Sequence, residues 1–359
     1  MKAFYLDNEI IRQDMEEIYS SHIDWERLRN KSILISGANG MLASYLALFF
    51  IYLNETYHYD ISLYLNIRNK NKAKARFNNY LSRKYIHLMT DDITCGISLK
   101  ENINIIIHAA SLASPQYYEK MPVETALPNI IGTYWLLEFA RKQKNFEGFL
   151  FFSSGSIYGK PLSSDIITET TKGVLDHLDN GNAYSESKRC GEMLCHAYYS
   201  EYNVPSKSVR IFHTYSPSMD IDNDKRAFSE FIKNYINGED IVLKSDGSSK
   251  RAFCYITDAI RALFYILFYG KNGDSYNMGN PNCFHSIYEL ASIISRIDSS
   301  KAINIVFADR RDDGYRLSPE CDSVIIPLSI EKLNALGWSP SISSEVGFKR
   351  VVDYFSVKI

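Results

Sequence analysis

The chain has 359 residues, of which 45% are hydrophobic and 23% charged, and its 40 basic and 42 acidic side chains leave a formal charge of -2. That length allows a full core with a smaller second lobe. The even charge excludes a global attraction to nucleic acid or to an anionic membrane, so a small partner, recognised locally, is expected.

Six cysteines (Cys95, Cys190, Cys195, Cys254, Cys283 and Cys321) are scattered without a Cys-x-x-Cys pair or histidines at metal-ligand spacing. Reduced thiols, no metal and a cytoplasmic location are expected. The first residues, with Lys2, Asp7, Glu9 and Asp14, lack the basic start and apolar block of a signal peptide. The longest uncharged apolar run, Met41 to Leu53, is too short to span a bilayer and reads as a buried helix.

Residues 1–30 read as a helical extension, because Ile11, Met15 and Ile18 fall at helical spacing. It would pack on the outside of the fold or contact a second copy. A strand, a tight turn and an apolar helix follow in Ser32-Ile33-Leu34-Ile35-Ser36-Gly37-Ala38-Asn39-Gly40-Met41-Leu42-Ala43. Gly37 can take a turn geometry closed to other residues, Gly40 lets the backbone approach a pyrophosphate, and Ala43 permits close helix–strand packing. Asn39, Met41 and the free N–H groups of the helix start complete a phosphate cradle.

The second strand, Ile61 to Ile67, ends in a basic loop of Arg68, Lys70, Lys72, Lys74 and Arg76, with no acid between Asn66 and Phe77. A carboxylate here would accept from the ribose hydroxyls of NAD, whereas a basic residue such as Arg68 suits the 2′-phosphate of NADP. A third strand ends at Thr90-Asp91-Asp92-Ile93, where Asp92 and Ile93 could flank the adenine. A fourth, Ile103 to His108, leads into Ala109, Ala110 and Ser111, whose small size allows close approach of a cofactor. Asn129 follows within a helix.

A fifth strand, Gly148 to Phe152, runs into Ser153-Ser154-Gly155-Ser156-Ile157-Tyr158-Gly159, a hydroxyl-rich segment at the end of a strand, where open α/β sheets bind ligands. Tyr184 and Lys188 stand four apart on a helix beginning near Asn182, hence on one face. A free phenol titrates near 10, so it serves as an acid–base group at neutral pH only where a cation stabilises the phenolate. Lys188 and an oxidised nicotinamide would supply that charge, Tyr184 would exchange a proton with a sugar oxygen, and Ser154 would hydrogen-bond the same oxygen.

In this order the glycine turn, Ser154, Tyr184 and Lys188 resemble the extended short-chain dehydrogenase/reductases that modify nucleotide sugars, over nearly everything after Lys31. Local matches resemble UDP-glucuronate decarboxylases and dTDP-glucose 4,6-dehydratases: His108-Ala109-Ala110 with Ala113-Ser114-Pro115, Asn129-x-x-Gly132-Thr133, and Arg210-x-Phe212-x-x-Tyr215-x-Pro217. Arg251-Ala252-Phe253-Cys254-Tyr255-Ile256-x-Asp258, Asn277-x-Gly279-Asn280 and Leu336-Gly337-Trp338-x-Pro340 continue the series. The resemblance implies an α/β fold, a Rossmann-type doubly wound parallel sheet with a smaller C-terminal substrate-binding lobe, and a homodimer. Residues 31–212 plus 252–270 would bind the dinucleotide, and 213–251 plus 271–359 a nucleotide-diphosphate sugar. Arg251 and Arg316 become candidate phosphate contacts, each otherwise a surface ion pair. Ser114, Ser156, His213 and Arg226 join them as substrate candidates.

Three departures from that pattern bear on the reaction. Ser156 stands where decarboxylases and dehydratases of the group carry a Glu, His213 where they carry Asn, and the Arg68 loop where they carry an acid. The loss of the Glu and the gain of the basic loop point to one-way reduction by NADPH: a 4-ketoreductase of a dTDP- or CDP-linked 4-keto-6-deoxyhexose, in surface-polysaccharide sugar synthesis. The alternatives are an epimerase keeping NAD bound, a decarboxylase or dehydratase that recruits another acid, and a cofactor-binding regulator without catalysis. An intact Ser154, Tyr184 and Lys188 weighs against the regulator, which needs the glycine turn but no proton relay.

Overall fold

The computed structural model describes residues 6–113, 115–162, 166–298, 301–308 and 326–356. Short runs rich in isoleucine, leucine and phenylalanine form β1 (Ser32–Ser36), β2 (Ser62–Asn66), β3 (Ile86–Met89), β4 (Ile105–His108) and β5 (Gly148–Ser154), joined in one sheet by Ser206–Ile211 and Asp274–Met278. Every pairing in this seven-stranded sheet is parallel, in the order Asp274–Met278, Ser206–Ile211, β5, β4, β1, β2, β3. All four residues of β4 are buried, as a strand covered on both faces requires. The chain winds outward from β1 through β3, then returns to the other side of β1 with β4. That reversal opens a crevice at the carboxyl ends of β1 and β4, the place where such sheets take ligands.

Helix α1 spans Glu9–Tyr19, and α2 spans Met41–Tyr57 with an unbroken buried stretch from Leu42 to Asn54. An apolar run with no polar face is stable only inside a larger core.

The lobe boundaries differ from the expectation in two places. Asp274–Met278, which the sequence assigned to the lobe, is instead the edge strand of the main sheet, in register from Asp274 opposite Lys207 to Met278 opposite Ile211. The expected boundary between 251 and 252 also falls inside a single strand, Lys250–Tyr255. This strand pairs with His213–Tyr215 and Phe284–Ser286 in a separate three-stranded sheet. Strand pairing is a long-range choice, and local composition does not encode it.

Several motif residues hold the framework together. Arg210 donates to Glu192 at 2.8 Å and to the Tyr158 hydroxyl at 2.8 Å, and that hydroxyl donates to Asn277 at 2.6 Å. Buried Asp258 accepts from the backbone N–H groups of Ser341 and Ile342 at 3.0 Å each, while Trp338 Nε1 donates to the Asp258 carbonyl at 3.1 Å. No helix among the described residues is long and apolar enough to cross a membrane. Cys95, Cys190, Cys195, Cys254 and Cys283 are free thiols, and Cys321 lies outside the described residues.

Helix α1 is keyed into the body by a buried carboxylate. Asp14 accepts from the hydroxyls of Tyr45 and Tyr255, the latter at 2.7 Å, and from Arg350 at 2.9 Å. Arg350 also donates to Glu17 at 2.8 Å, which binds the Thr257 hydroxyl at 2.8 Å. Asp14→Ala removes the acceptor shared by Tyr45, Tyr255 and Arg350, while Arg350 keeps Glu17 as its counter-charge. The variant is therefore expected to lose about 1–3 kcal/mol in urea unfolding; a loss under about 0.5 kcal/mol, as for an ordinary surface substitution, would show that the contact does not hold the extension.

Candidate functional site

The crevice is built from the ends of β1, β4 and β5. Gly37 has φ +67°, and a Cβ placed on it would lie 2.5 Å from Ala110 Cα, so both conformation and space require glycine here. The Gly40 N–H donates to the Gly37 carbonyl at 2.9 Å, and α2 starts at the next residue, Met41.

His108 sets the spacing between β1 and β4. Its Nδ1 is 2.6 Å from Ser36 Oγ and its Nε2 is 3.1 Å from the Pro128 carbonyl. A carbonyl only accepts, so Nε2 carries the proton and Nδ1 accepts from the Ser36 hydroxyl. Burial, with the nearby Lys188 charge, depresses the imidazole to about 3, so it is neutral at neutral pH. Ser36 Oγ in turn accepts from Ala110 N–H at 3.4 Å, drawing the Ala109-Ala110 backbone towards the glycine turn.

Along this edge, four buried polar atoms have no hydrogen-bond partner: Asn39 Oδ1, Ser111 Oγ, Asn129 Oδ1 and Ser153 Oγ. Asn39 spends its amide on the Asn69 carbonyl at 3.0 Å, and Asn129 spends its own on Thr125 O and Ser187 Oγ, both at 3.0 Å. Asn129 lies in a π-helical turn, Pro128–Gly132, a distortion that often accompanies a functional site. Buried polar atoms are normally paired. Unpaired atoms on the glycine turn, after β4, in the π-turn and near the end of β5 fit a polar cofactor such as a dinucleotide.

Arg68 is exposed at the end of β2. Asp92 is also exposed; its carboxyl accepts from Thr94 N–H at 2.9 Å and Thr94 Oγ1 at 2.7 Å, bonds that hold it below the usual range with a smaller contribution from Arg68. Ile93 is buried against Gly132, where an added Cβ would lie 2.7 Å from Ile93 Cδ1.

Ser154 ends β5 and caps a 3₁₀ turn, Gly155–Tyr158, its Oγ accepting from Ser156 N–H at 3.1 Å. The Ser156 side chain itself is exposed. Tyr184 and Lys188 lie in the first turns of the helix Ala183–Tyr202, both buried. Burial raises the Tyr184 phenol above the ordinary tyrosine value, opposed by the Ser154 hydroxyl facing it. Lys188 Nζ donates to the Phe152 carbonyl at 2.6 Å and lies 5.6 Å from the centre of the Tyr184 ring. Burial lowers this lysine to about 7, against the pull of Glu192 and Cys195. The expected lowering of the phenol by Lys188 together with an oxidised nicotinamide concerns the loaded site; in the protein alone burial outweighs the Ser154 hydrogen bond and the phenol is raised.

Three substrate candidates converge on the lobe side. Burial, with Arg251 and Arg226 both facing the ring, depresses the His213 imidazole to about 3. Arg226 is gripped by Asp224 at 2.5–3.0 Å and lies 4.5 Å from the centre of the Phe228 ring. Arg251 donates to the Lys250 carbonyl at 2.7 Å. Ser114 and Arg316 lie outside the described residues. The sequence reading missed Tyr118, whose ring stacks on Tyr184 with centroids 4.6 Å apart and planes 6° from parallel, and which also faces Arg226. As one of 26 tyrosines, beside the quoted Ala113-Ser114-Pro115 motif, it carried no spacing signal. Ser153 was missed as well; its only signal was the run of hydroxyls at a strand end.

Comparison with known proteins matches residues 33–279 to the model of the NAD dependent epimerase/dehydratase family. UDP-glucuronic acid decarboxylase 3 of Arabidopsis thaliana is 28% identical over 331 residues, which cover 92% of this chain and 90% of that one. Arabidopsis UDP-glucuronic acid decarboxylase 1 is 30% identical over 286 residues, 80% of this chain and 62% of the relative. Among solved structures, an epimerase of Methanothermobacter thermautotrophicus superposes with TM-score 0.74 at 20% identity, covering 96% and 95% of the two chains. The dTDP-glucose 4,6-dehydratase of Bacillus anthracis, in complex with NAD, gives TM-score 0.69 at 22% identity, covering 90% of this chain and 96% of that one. These superpositions agree with the doubly wound parallel sheet.

Proposed function

The chain belongs to the NAD dependent epimerase/dehydratase family, and from that premise we propose that it is a nucleotide-sugar oxidoreductase, a 4-ketoreductase of a dTDP- or CDP-linked 4-keto-6-deoxyhexose. The observation that carries this reading is the pairing of Ser154, Tyr184 and Lys188 with a plain exposed serine at 156. Eliminating water across a sugar carbon–carbon bond needs a second group to move a carbon-bound proton, and a hydroxyl at its ordinary pKa is poorly suited to that task. Reduction of a ketone needs one proton only.

When bound, the dinucleotide supplies the hydride. Gly37, Asn39, Gly40 and Met41 would hold its pyrophosphate, Arg68 and Asp92 the adenosine end, and Ala109, Ala110, Ser111 and Asn129 the side nearer the nicotinamide. Arg68 favours NADP over NAD. Tyr184, kept protonated by burial, is in the state required to give its proton to the oxygen forming at C4, with Ser154 fixing that oxygen and the Lys188 ammonium stabilising the phenolate left behind. Arg226 and Arg251, on either side of a neutral His213, form a basic cluster suited to the diphosphate.

A second reading, a decarboxylase using bound NAD, is supported by the likeness to the Arabidopsis decarboxylases over 92% of this chain. One experiment separates the two. The purified protein is denatured and any released dinucleotide identified, and native protein is then given NADPH with a 4-keto sugar nucleotide or, separately, UDP-glucuronate. Stoichiometric NADPH oxidation with the keto sugar is expected, and Tyr184→Phe should slow it about 100- to 10,000-fold. Tightly held NAD, no NADPH consumption and carbon dioxide released from UDP-glucuronate would overturn the reductase in favour of the decarboxylase.

The Lys188 charge gives this reaction a pH dependence with a definite sign. Because the ammonium is needed and is lost at about 7 in the free protein, kcat/KM should be full below that pH and fall above it. Lys188→Arg, whose guanidinium stays charged, should flatten that limb. An unchanged fall in the arginine variant would remove Lys188 from this role.

A homodimer belongs to the same proposal. Val123, Leu127, Ile131 and Trp135 recur at four-residue steps and are exposed along the helical segments from Pro122 to Arg141, an apolar stripe that a second copy would cover. Light scattering should give twice the chain mass, and Ile131→Asp should give a monomer; a monomeric wild-type protein at micromolar concentration would exclude this interface.

A further inference from the structure

Tyr184 does its work through one oxygen at the end of a side chain whose ring can swing about two bonds. Its hydroxyl meets Ser154 only while the ring keeps one orientation. Ser154 bonds at the tip, and the Lys188 ammonium is 5.6 Å from the ring centre. What lies flat on the ring is Tyr118, from the separate short helix Pro115–Tyr118, with centroids 4.6 Å apart and planes within 6°. At that distance, parallel planes mean an offset stack, the arrangement aromatic pairs prefer.

We propose that Tyr118 is a positioning residue for the Tyr184 phenol, clamping its ring so that the hydroxyl stays on Ser154 and in the cleft. This rests on the reading of Tyr184 as the proton donor. Tyr118 also faces Arg226 of the basic cluster, so the clamp stands between the proposed diphosphate site and the relay. The work is done by the flat ring, so phenylalanine should replace Tyr118 and a non-aromatic side chain should not.

The test compares Tyr118→Phe with Tyr118→Leu, and uses Tyr118→Met as the ring-less variant should the leucine form not fold. Turnover with NADPH and the keto sugar should fall about tenfold in kcat for Leu, with KM changed less than about twofold, and stay at the wild-type value for Phe. Independently of turnover, Tyr184 is titrated by NMR of protein labelled at tyrosine Cζ, its line assigned by its loss in Tyr184→Phe. Uncovering the ring should move its midpoint down, towards that of a solvated phenol, in Leu but not in Phe. A wild-type Tyr184 midpoint in the leucine variant, or equal damage in both variants, would overturn the proposal. If wild-type protein consumes no NADPH, the reductase reading fails, and the titration alone decides the role of Tyr118.

Discussion

A neutral imidazole holds the floor of the cleft together. His108 accepts from Ser36 at the end of β1 and donates to Pro128 at the start of the π-turn, and the same serine accepts from Ala110. Three segments distant in sequence are thereby drawn to one point, and the approach of Ala110 to Gly37 follows from it. The arrangement requires an imidazole with one donor and one acceptor. Burial secures that state, because a charged ring would meet desolvation and the Lys188 charge together.

The same burial acts on Tyr184 and Lys188, moving the phenol up and the amine down to about 7. A phenol in this state holds a proton ready to give, which suits a reaction that ends by protonating an oxygen. The lobe contributes from the other side: Arg226 lies between Asp224 and His213 and faces Tyr118, which lies on Tyr184. The proposed diphosphate cluster and the proposed proton donor are thus linked through one aromatic side chain, Tyr118.

The N-terminal extension serves the body of the fold. Asp14 and Glu17 join α1 to α2, to the Tyr255–Thr257 corner and to the C-terminal helix Ser344–Ser356 through Arg350. A buried ionic cluster is an expensive way to gain stability, but it specifies one docking geometry for the pieces it joins. The apolar spacing of Ile11, Met15 and Ile18 announced the helix; nothing in that spacing announced that Asp14, between them, points inward.

What the amino-acid order determined by itself was everything short in range. The glycine turn, the apolar runs that become β1 to β5, and the four-residue step from Tyr184 to Lys188 each depend on neighbours within a few residues, and each was readable. Tertiary structure alone decided the rest. Asp274–Met278 joined the main sheet because Ser206–Ile211 offered an open edge, Tyr118 reached Tyr184 across an intervening 65 residues of chain, and the Tyr184 phenol shifted up because desolvation outweighed its neighbours. Pairing, stacking and burial are properties of atoms brought together from far apart, and a linear pattern holds no record of which ones will meet.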